Sequence, residues 1–167
     1  MVFLVRVRAK PTVIPLTKSL KFILQDFKSS IDSEYFKEFR LISPEENIYN
    51  CEIGKEVREF YIDVIINQLN MKRELYRMNN MKGCIFLSDT LLNRVFHGFY
   101  ENLVVNRTQS IKCPLRRGSY LIRNAINKAA LPQFHPKGNF SLILRLKANA
   151  MDRIMLELTW LYRLAKA

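Results

Sequence analysis

Three cysteines, Cys51, Cys84 and Cys113, are the residues of this chain best suited to chemistry, since a thiolate can bind metal or act as a nucleophile. Cys84 lies just before a predicted amphipathic helix, and Cys113 lies just after it, beside a proline. Two cysteines that bracket one helix indicate a stapled module. Because three is odd, at most one internal disulfide forms and one thiol remains.

Histidine and carboxylate side chains offer little further chemistry. We interpret His97 as a surface residue on the helix and His135 as a turn residue before Pro136. Asp63 is expected on a solvated strand face and Asp152 in a turn. The chain contains no C-x-x-C, G-x-G-x-x-G, P-loop or H-E-x-x-H motif. We therefore expect no metal site, no cofactor and no enzymatic activity.

Two tripeptides match the N-glycosylation pattern, and they matter only if the chain is secreted. Asn106 begins Asn-Arg-Thr in the loop after the predicted helix, and Asn139 begins Asn-Phe-Ser at the start of a predicted strand. Both asparagines are candidate glycosylation sites.

Length and charge limit the possible classes of protein. The 167 residues fit one domain, and 27 Lys and Arg against 15 Asp and Glu give a formal charge of +12. Such an excess attracts phosphates, nucleic acid or anionic lipid. The basic residues are scattered rather than collected in a run, so we expect no specific nucleic-acid binding. No stretch reaches the ~18 apolar residues of a transmembrane segment.

The predicted helix follows Ser88, a suitable N-cap residue. Apolar residues recur after it at steps of three and four, which places them on one face: Leu91, Leu92, Val95, Phe96, Phe99 and Leu103. Residues 1–18 carry Pro11 and Pro15 and are interpreted as a poorly structured lead-in to a single domain over residues 19–167.

Alternating apolar and polar residues predict strands over most of the remaining chain. The clearest are Glu59–Leu69, Asn139–Lys147 and Arg153–Arg163, the last two joined as a hairpin. Lys21–Phe27 is a further strand, with Phe22 and Leu24 on one face and Phe27 on the other. Residues 33–42 fit a strand or a short helix. Turns are predicted at 43–47 and 79–83. Short strands with one helix indicate a mainly β, antiparallel sandwich.

Several of these segments together resemble a known family. They are Asn80-Met-Lys-Gly-Cys84-Ile-Phe-Leu87, the helix ending Phe99-Tyr100-Glu-Asn-Leu103, Lys112-Cys113-Pro114, Gly118-Ser-Tyr120, Pro132 and Pro136-Lys-Gly138-Asn-Phe140. Their order and spacing resemble the insect ML-domain-like proteins, which are related to the myeloid differentiation lipid-recognition fold. Most members are uncharacterised, and some are chemosensory.

The resemblance implies an immunoglobulin-like β-sandwich that holds a lipid or another hydrophobic molecule between its sheets. The candidate lining residues, including two from the helix, are Phe60, Ile62, Val64, Phe96, Phe99, Leu142, Leu144, Leu156, Leu158 and Trp160. The same residues would equally pack a closed core without a pocket. Arg116 and Arg117 are candidates to meet an acidic head group, or are solvated loop residues.

The resemblance also pairs Cys84 with Cys113 and leaves Cys51 without its family partner, expected near residues 28–30. Cys51 is therefore predicted to be a free thiol or to pair between chains. Family members are secreted, although the apolar run at this N-terminus ends at Arg6 and makes a poor signal peptide. We expect an export segment to be missing from this sequence.

The sequence therefore predicts a secreted, non-enzymatic binding protein for a lipid or another hydrophobic small molecule, with a chemosensory role as one form of that function. The alternative is a basic interaction module, without a cavity, that binds nucleic acid or an acidic protein. The oligomeric state stays open.

Overall fold

The structure is a computed structural model, and it describes residues 20–88, 111–124, 126, 131, 135–149 and 153–166. Nearly all regular structure in these residues is strand. The elements are β1 (Leu20–Ile31), β2 (Phe36–Ser43), β3 (Ile48–Ile53), β4 (Tyr61–Gln68), β5 (Arg73–Lys82), α1 (Gly83–Ser88), β6 (Gly118–Arg123), β7 (Gly138–Lys147) and β8 (Ile154–Lys166). Within the described ranges, no helix has the length and apolar character needed to cross a membrane.

The strands form two antiparallel sheets, which confirms the predicted β-sandwich. The larger sheet has the order β1-β8-β7-β4-β5, and the smaller has the order β2-β3-β6. Residues paired directly across antiparallel strands share a face, so the register defines an inner face for each sheet. In the larger sheet, the row Phe27, Trp160 and Leu142 lies on the inner face.

Aromatic contacts join the two inner faces. The Phe27 ring of β1 lies 6.4 Å from the Phe39 ring of β2 and 5.3 Å from the Tyr49 ring of β3, centroid to centroid. Phe27 also packs on Trp160 at 5.2 Å. These separations lie in the range of favourable aromatic pairs, so one cluster bridges the gap between the sheets.

The sandwich has two distinguishable ends. What we call the disulfide end contains the β1–β2 connection, the start of β8, α1 and Cys113. What we call the turn end contains the start of β1, the end of β8 and the β4–β5 turn at residues 69–72, because Leu20 pairs with Lys166 and Gln68 with Phe140 near the start of β7. The two ends differ in what holds them together.

The strands predicted from alternation are present, but one face of β1 was wrong. A bulge between Leu24 and Asp26 shifts the register, so Phe27, opposite Trp160, lies on the same inner face as Leu24 rather than on the other face. The ambiguous segment 33–42 forms β2 from Phe36, and residues 44–47 form the predicted turn.

The turn predicted at 79–83 is wrong, because residues 79–82 belong to β5, a strand that alternation missed. Ile62 pairs with Met81 and Val64 with Met78, which leaves one extra residue in β5. Asn80 has a positive φ of 55° at this bulge. The Asn-Asn pair therefore marks a local backbone kink inside a strand, since asparagine tolerates this conformation.

A short helix lies before the predicted one. α1 starts at Gly83, so Cys84 lies within it, and Ser88 is a helical residue rather than an N-cap. A side chain at position 83 would collide with the Phe60 ring, where a Cβ would lie 2.1 Å from the nearest ring atom. The amphipathic segment 91–103 and the lead-in 1–18 lie outside the described residues.

Candidate functional site

The interior between the sheets is the candidate site, because most of the predicted lining residues lie there together. One continuous buried cluster contains Phe60, Ile62, Leu142, Leu144, Leu156, Leu158 and Trp160, and Val64 packs against it half-buried. The remaining two candidates, Phe96 and Phe99, lie outside the described residues. The interior presents apolar side chains from both sheets over the whole length of the gap. Whether it opens into a pocket stays a prediction.

Polar groups inside the interior pair with one another. The Trp160 indole Nε1 donates to Asn124 Oδ1 at 2.6 Å, and both residues are buried. Asn124 follows β6, and its backbone N–H donates to Asn47 O at 2.8 Å. Burial raises the pKa of Tyr49, whose hydroxyl also pairs with the Asn124 side chain. Asn124 thus links the larger sheet to the β2–β3 turn.

A second polar pair lies toward the turn end. His135 Nε2 and the Tyr162 hydroxyl are 2.6 Å apart, and His135 Nδ1 lies 3.1 Å from Pro136 O. A carbonyl oxygen can only accept, so Nδ1 carries the proton and Nε2 accepts from Tyr162. Burial lowers the pKa of His135 and raises that of Tyr162.

His135 lies just before β7 and is not a surface residue, since only 6% of it is exposed. Its ring packs edge-on against Phe140 at 4.1 Å, and Phe22 stacks on Tyr162 at 5.1 Å. Sequence patterns missed this cluster because its members come from three separated segments. With both polar pairs satisfied internally, the interior offers a ligand mainly apolar surface.

The inner faces reach solvent at the edge of the sandwich. Leu24 in β1 lies opposite Tyr162, and Leu41 in β2 lies opposite Tyr49, so both belong to inner faces. Yet Leu24 is 43% exposed and Leu41 39% exposed. Toward the disulfide end, the Phe27–Phe39 contact fills the space between these two edge strands. Apolar side chains of the inner faces are therefore exposed along β1 and β2 nearer the turn end.

The disulfide end is covalently tied. Cys84 and Cys113 are bonded, with an S–S distance of 2.01 Å and Cα atoms 5.5 Å apart, as the resemblance implied. Cys51 is a free thiol, and its burial raises its pKa to about 12. A thiol so buried and so weakly acidic is a poor partner for pairing between chains. Arg116 and Arg117 also lie at the disulfide end, just before β6, far from the exposed edge.

Asp63 is buried, so the prediction of a solvated strand face is wrong. Its Oδ2 lies 2.9 Å from Lys147 Nζ, and its Oδ1 accepts from the Asn80 backbone N–H at 2.8 Å. Lys147 Nζ also donates to Asn80 Oδ1 at 2.6 Å. This network fastens the β5 bulge to β4 and β7, which is a structural role. Its partners are too far apart in the chain for a motif to reveal it.

A comparison with known protein families finds a match in the middle of the chain. Residues 60–142 match the model of a family described as "Protein of unknown function (DUF1091)". The matched region runs from β4 into β7 and includes both cysteines of the disulfide. No curated protein matches the chain.

The remaining predictions concern metal binding, glycosylation and single residues. In the described part of the chain, no group of three or more His, Cys, Asp or Glu is placed to hold a metal ion. Asn106, His97 and Asp152 lie outside the described residues. Asn139 lies at the start of β7, where its Nδ2 donates to Asn70 Oδ1 at 3.2 Å. Glycosylation at both sequons stays a prediction.

Proposed function

We propose that this protein is a secreted, non-enzymatic carrier of a lipid or another hydrophobic small molecule, related to the insect ML-domain-like proteins. The observation that carries the proposal is the exposed apolar edge of the sandwich, where the inner-face residues Leu24 and Leu41 reach solvent. An apolar ligand entering there would meet a continuous apolar interior and would gain ~0.8 kcal/mol per buried methylene.

Two further observations support this proposal. The family match over residues 60–142 covers the segments on which the resemblance rests most specifically. The Cys84–Cys113 disulfide is typical of proteins that fold in an oxidising compartment, which fits secretion. Chemosensory members of the resembling group make cuticular hydrocarbons a probe class to try beside fatty acids.

Native mass spectrometry after expression in the bacterial periplasm tests the proposal. We expect co-purified lipid, or uptake of one fatty acid per chain from dilute ethanolic solution. The variant Leu24→Arg with Leu41→Arg should take up the acid much more slowly, because it places charge at the edge through which the acid enters. Leu121→Arg is the matched control, because Leu121 lies on the outer face of β6 opposite Asn50.

The proposal fails if the protein stays free of ligand with every fatty acid and hydrocarbon offered. A closed core would then explain the buried cluster. It also fails if Leu121→Arg slows uptake as much as the edge variant does.

A further inference from the structure

The β4–β5 turn holds two apolar side chains in solvent. Leu69 is 43% exposed and Met71 is 59% exposed. The turn backbone is fixed, because Leu69 N donates to Asn139 O at 2.9 Å and Lys72 N donates to Leu69 O at 3.3 Å. Lys72 adopts a positive φ of 47° to close the turn. Two exposed apolar side chains on a fixed turn are available to enter an apolar environment.

Exposed basic side chains surround this turn. They come from the ends of β1, β5 and β8, from the residue before β7, and from the turn itself: Lys21, Lys72, Arg73, Lys137, Arg163 and Lys166. Strand register places them at the turn end, since Leu20 pairs with Lys166, Asn139 with Arg163 and Gln68 with Arg73.

These six cations are available to an external anion. Arg73 donates to the Gln68 side chain at 2.9 Å, and none of the six forms an ion pair with a carboxylate of the described residues. Glu74, which follows Arg73 in β5, pairs with Arg77 instead, and Glu45 and Glu46 lie on the β2–β3 turn. The turn end is therefore positively charged as well as partly apolar.

We infer that the turn end docks on the surface of anionic membranes. Leu69 and Met71 enter the boundary between head groups and acyl chains, while the surrounding lysines and arginines contact the anionic head groups. A nucleic acid would satisfy the cations but would leave the two apolar side chains in water. A bilayer surface satisfies both, so it fits this end of the molecule best.

The inference rests on the proposed function and adds a path by which the lipid reaches and leaves the protein. The exposed edge at Leu24 lies at the same end as the β4–β5 turn, because Leu24, Tyr162, Phe140 and Gln68 form one row across the sheet. A protein docked by this turn would place its exposed edge near the membrane. Lipid would then pass between the bilayer and the interior without crossing bulk water.

Vesicle flotation tests the docking directly. The full chain, made in the bacterial periplasm so that Asn139 carries no glycan, is mixed with vesicles of phosphatidylcholine alone or with ~30% phosphatidylserine. We expect binding to the anionic vesicles that weakens steeply with salt. Leu69→Ser with Met71→Ser should reduce binding to them about tenfold or more. Lys72→Gln and Arg73→Gln should each reduce it about fivefold.

Matched variants at the disulfide end serve as controls. Ile85→Ser with Ile154→Ser removes two similarly exposed apolar side chains, and Arg116→Gln with Arg117→Gln removes two exposed cations. Both should bind anionic vesicles as the parent does. Equal losses of vesicle binding from the variants at the two ends would overturn the inference. It is also overturned if the Leu69/Met71 variant binds normally, or if the protein prefers a single-stranded oligonucleotide to anionic vesicles at equal salt.

Ligand uptake separates this inference from the proposed function. The Leu69/Met71 variant should take up a fatty acid from ethanolic solution as the parent does, because no docking is needed there. Normal uptake by a parent that binds no vesicles contradicts only the docking. Vesicle binding by a parent that takes up no ligand contradicts the carrier function and leaves a membrane-binding protein.

Discussion

The two ends of this sandwich are held together in different ways. At the disulfide end, the Cys84–Cys113 bond joins α1 to the segment before β6, and Val57 pairs with Leu115 through two backbone hydrogen bonds. At the turn end, the described residues form no covalent tie, and apolar side chains reach solvent. A sandwich that admits a ligand between its sheets has to stay joined somewhere while its edge separates. The difference between the ends fits that requirement.

The two ends also differ in how their charged side chains are paired. At the disulfide end, Arg153 pairs with Asp32 and Glu34, and Lys55 also pairs with Glu34. Both cations lie over the Tyr35 ring, each 4.9 Å from its centroid. At the turn end, the exposed basic side chains have no such partners among the described residues. The charges around Tyr35 therefore balance, whereas Arg116 and Arg117 at the same end and the six cations of the turn end have no carboxylate partner among the described residues.

Removing the disulfide should have the largest effect on stability. Cys84→Ser with Cys113→Ser should lower the free energy of unfolding by about 3–4 kcal/mol, because the bond closes a loop across 29 positions. Urea unfolding with and without reductant measures this. Cys51→Ala is the control, since Cys51 forms no bond and this variant should lose stability in reductant as the parent does. A parent protein equally stable in reductant would contradict the division between the ends.

Loss of the buried hydrogen bond between Trp160 and Asn124 should have the next largest effect on stability. Asn124→Ala removes the acceptor of the Trp160 indole N–H inside the core, and we expect a loss of about 1–3 kcal/mol. A double-mutant cycle with Trp160→Phe isolates this interaction from other contacts of either residue. Additive losses from the two substitutions would show that Asn124 does not link the sheets through this bond.

Acid should lower the stability of the protein through His135, which lies toward the turn end. Because burial lowers the pKa of His135, the folded protein binds fewer protons than the unfolded chain below about pH 6.5. The stability that depends on neutral His135 is complete above that pH, and it is lost as the pH falls through 6.5 toward the pKa of the folded state. Urea midpoints between pH 7.5 and 5.5 measure it. His135→Gln should flatten the dependence, and a pH dependence unchanged by this substitution would contradict the prediction.

The surface ion pairs at the disulfide end should have the smallest effect. Arg153→Met removes pairs with Asp32 and Glu34 that are open to solvent, where salt screens the attraction. We expect a small loss of stability that disappears at about 1 M salt, where the Debye length falls to about 3 Å. Urea midpoints at low and high salt check this, with Arg58→Met as an exposed control. A loss comparable with that of the disulfide variant would contradict the ranking.

Sequence alone was sufficient for the parts of the fold built from regular alternation. β4, β7 and β8 carry apolar residues at every second position, so their inner faces could be assigned residue by residue. β5 could not be found this way, because its ten residues are mostly polar and a bulge interrupts their period. The bulge in β1 likewise reversed the face assigned to Phe27.

The candidate site was predicted only in part. Alternation identified the apolar lining, and the resemblance identified the disulfide. The polar pairs inside the interior could not be predicted, since Asn124 reaches Trp160 across 36 positions and His135 reaches Tyr162 across 27. The burial of Asp63 depends on Lys147 in the same way. Such contacts arise from the packing of distant segments, which no local pattern records.

Trp160 provides the most direct test of the central claim, that a hydrophobic ligand lies between the sheets. It is the one tryptophan of the chain, and it is fully buried on the inner face of β8. A fatty acid brominated at mid-chain quenches tryptophan fluorescence on contact. We predict saturable quenching at one acid per chain, with no effect of the unbrominated acid. Trp160→Phe with Leu121→Trp, which moves the fluorophore to the outer face of β6, should show no saturable quenching. Absence of quenching at Trp160, or equal quenching at position 121, would contradict the account.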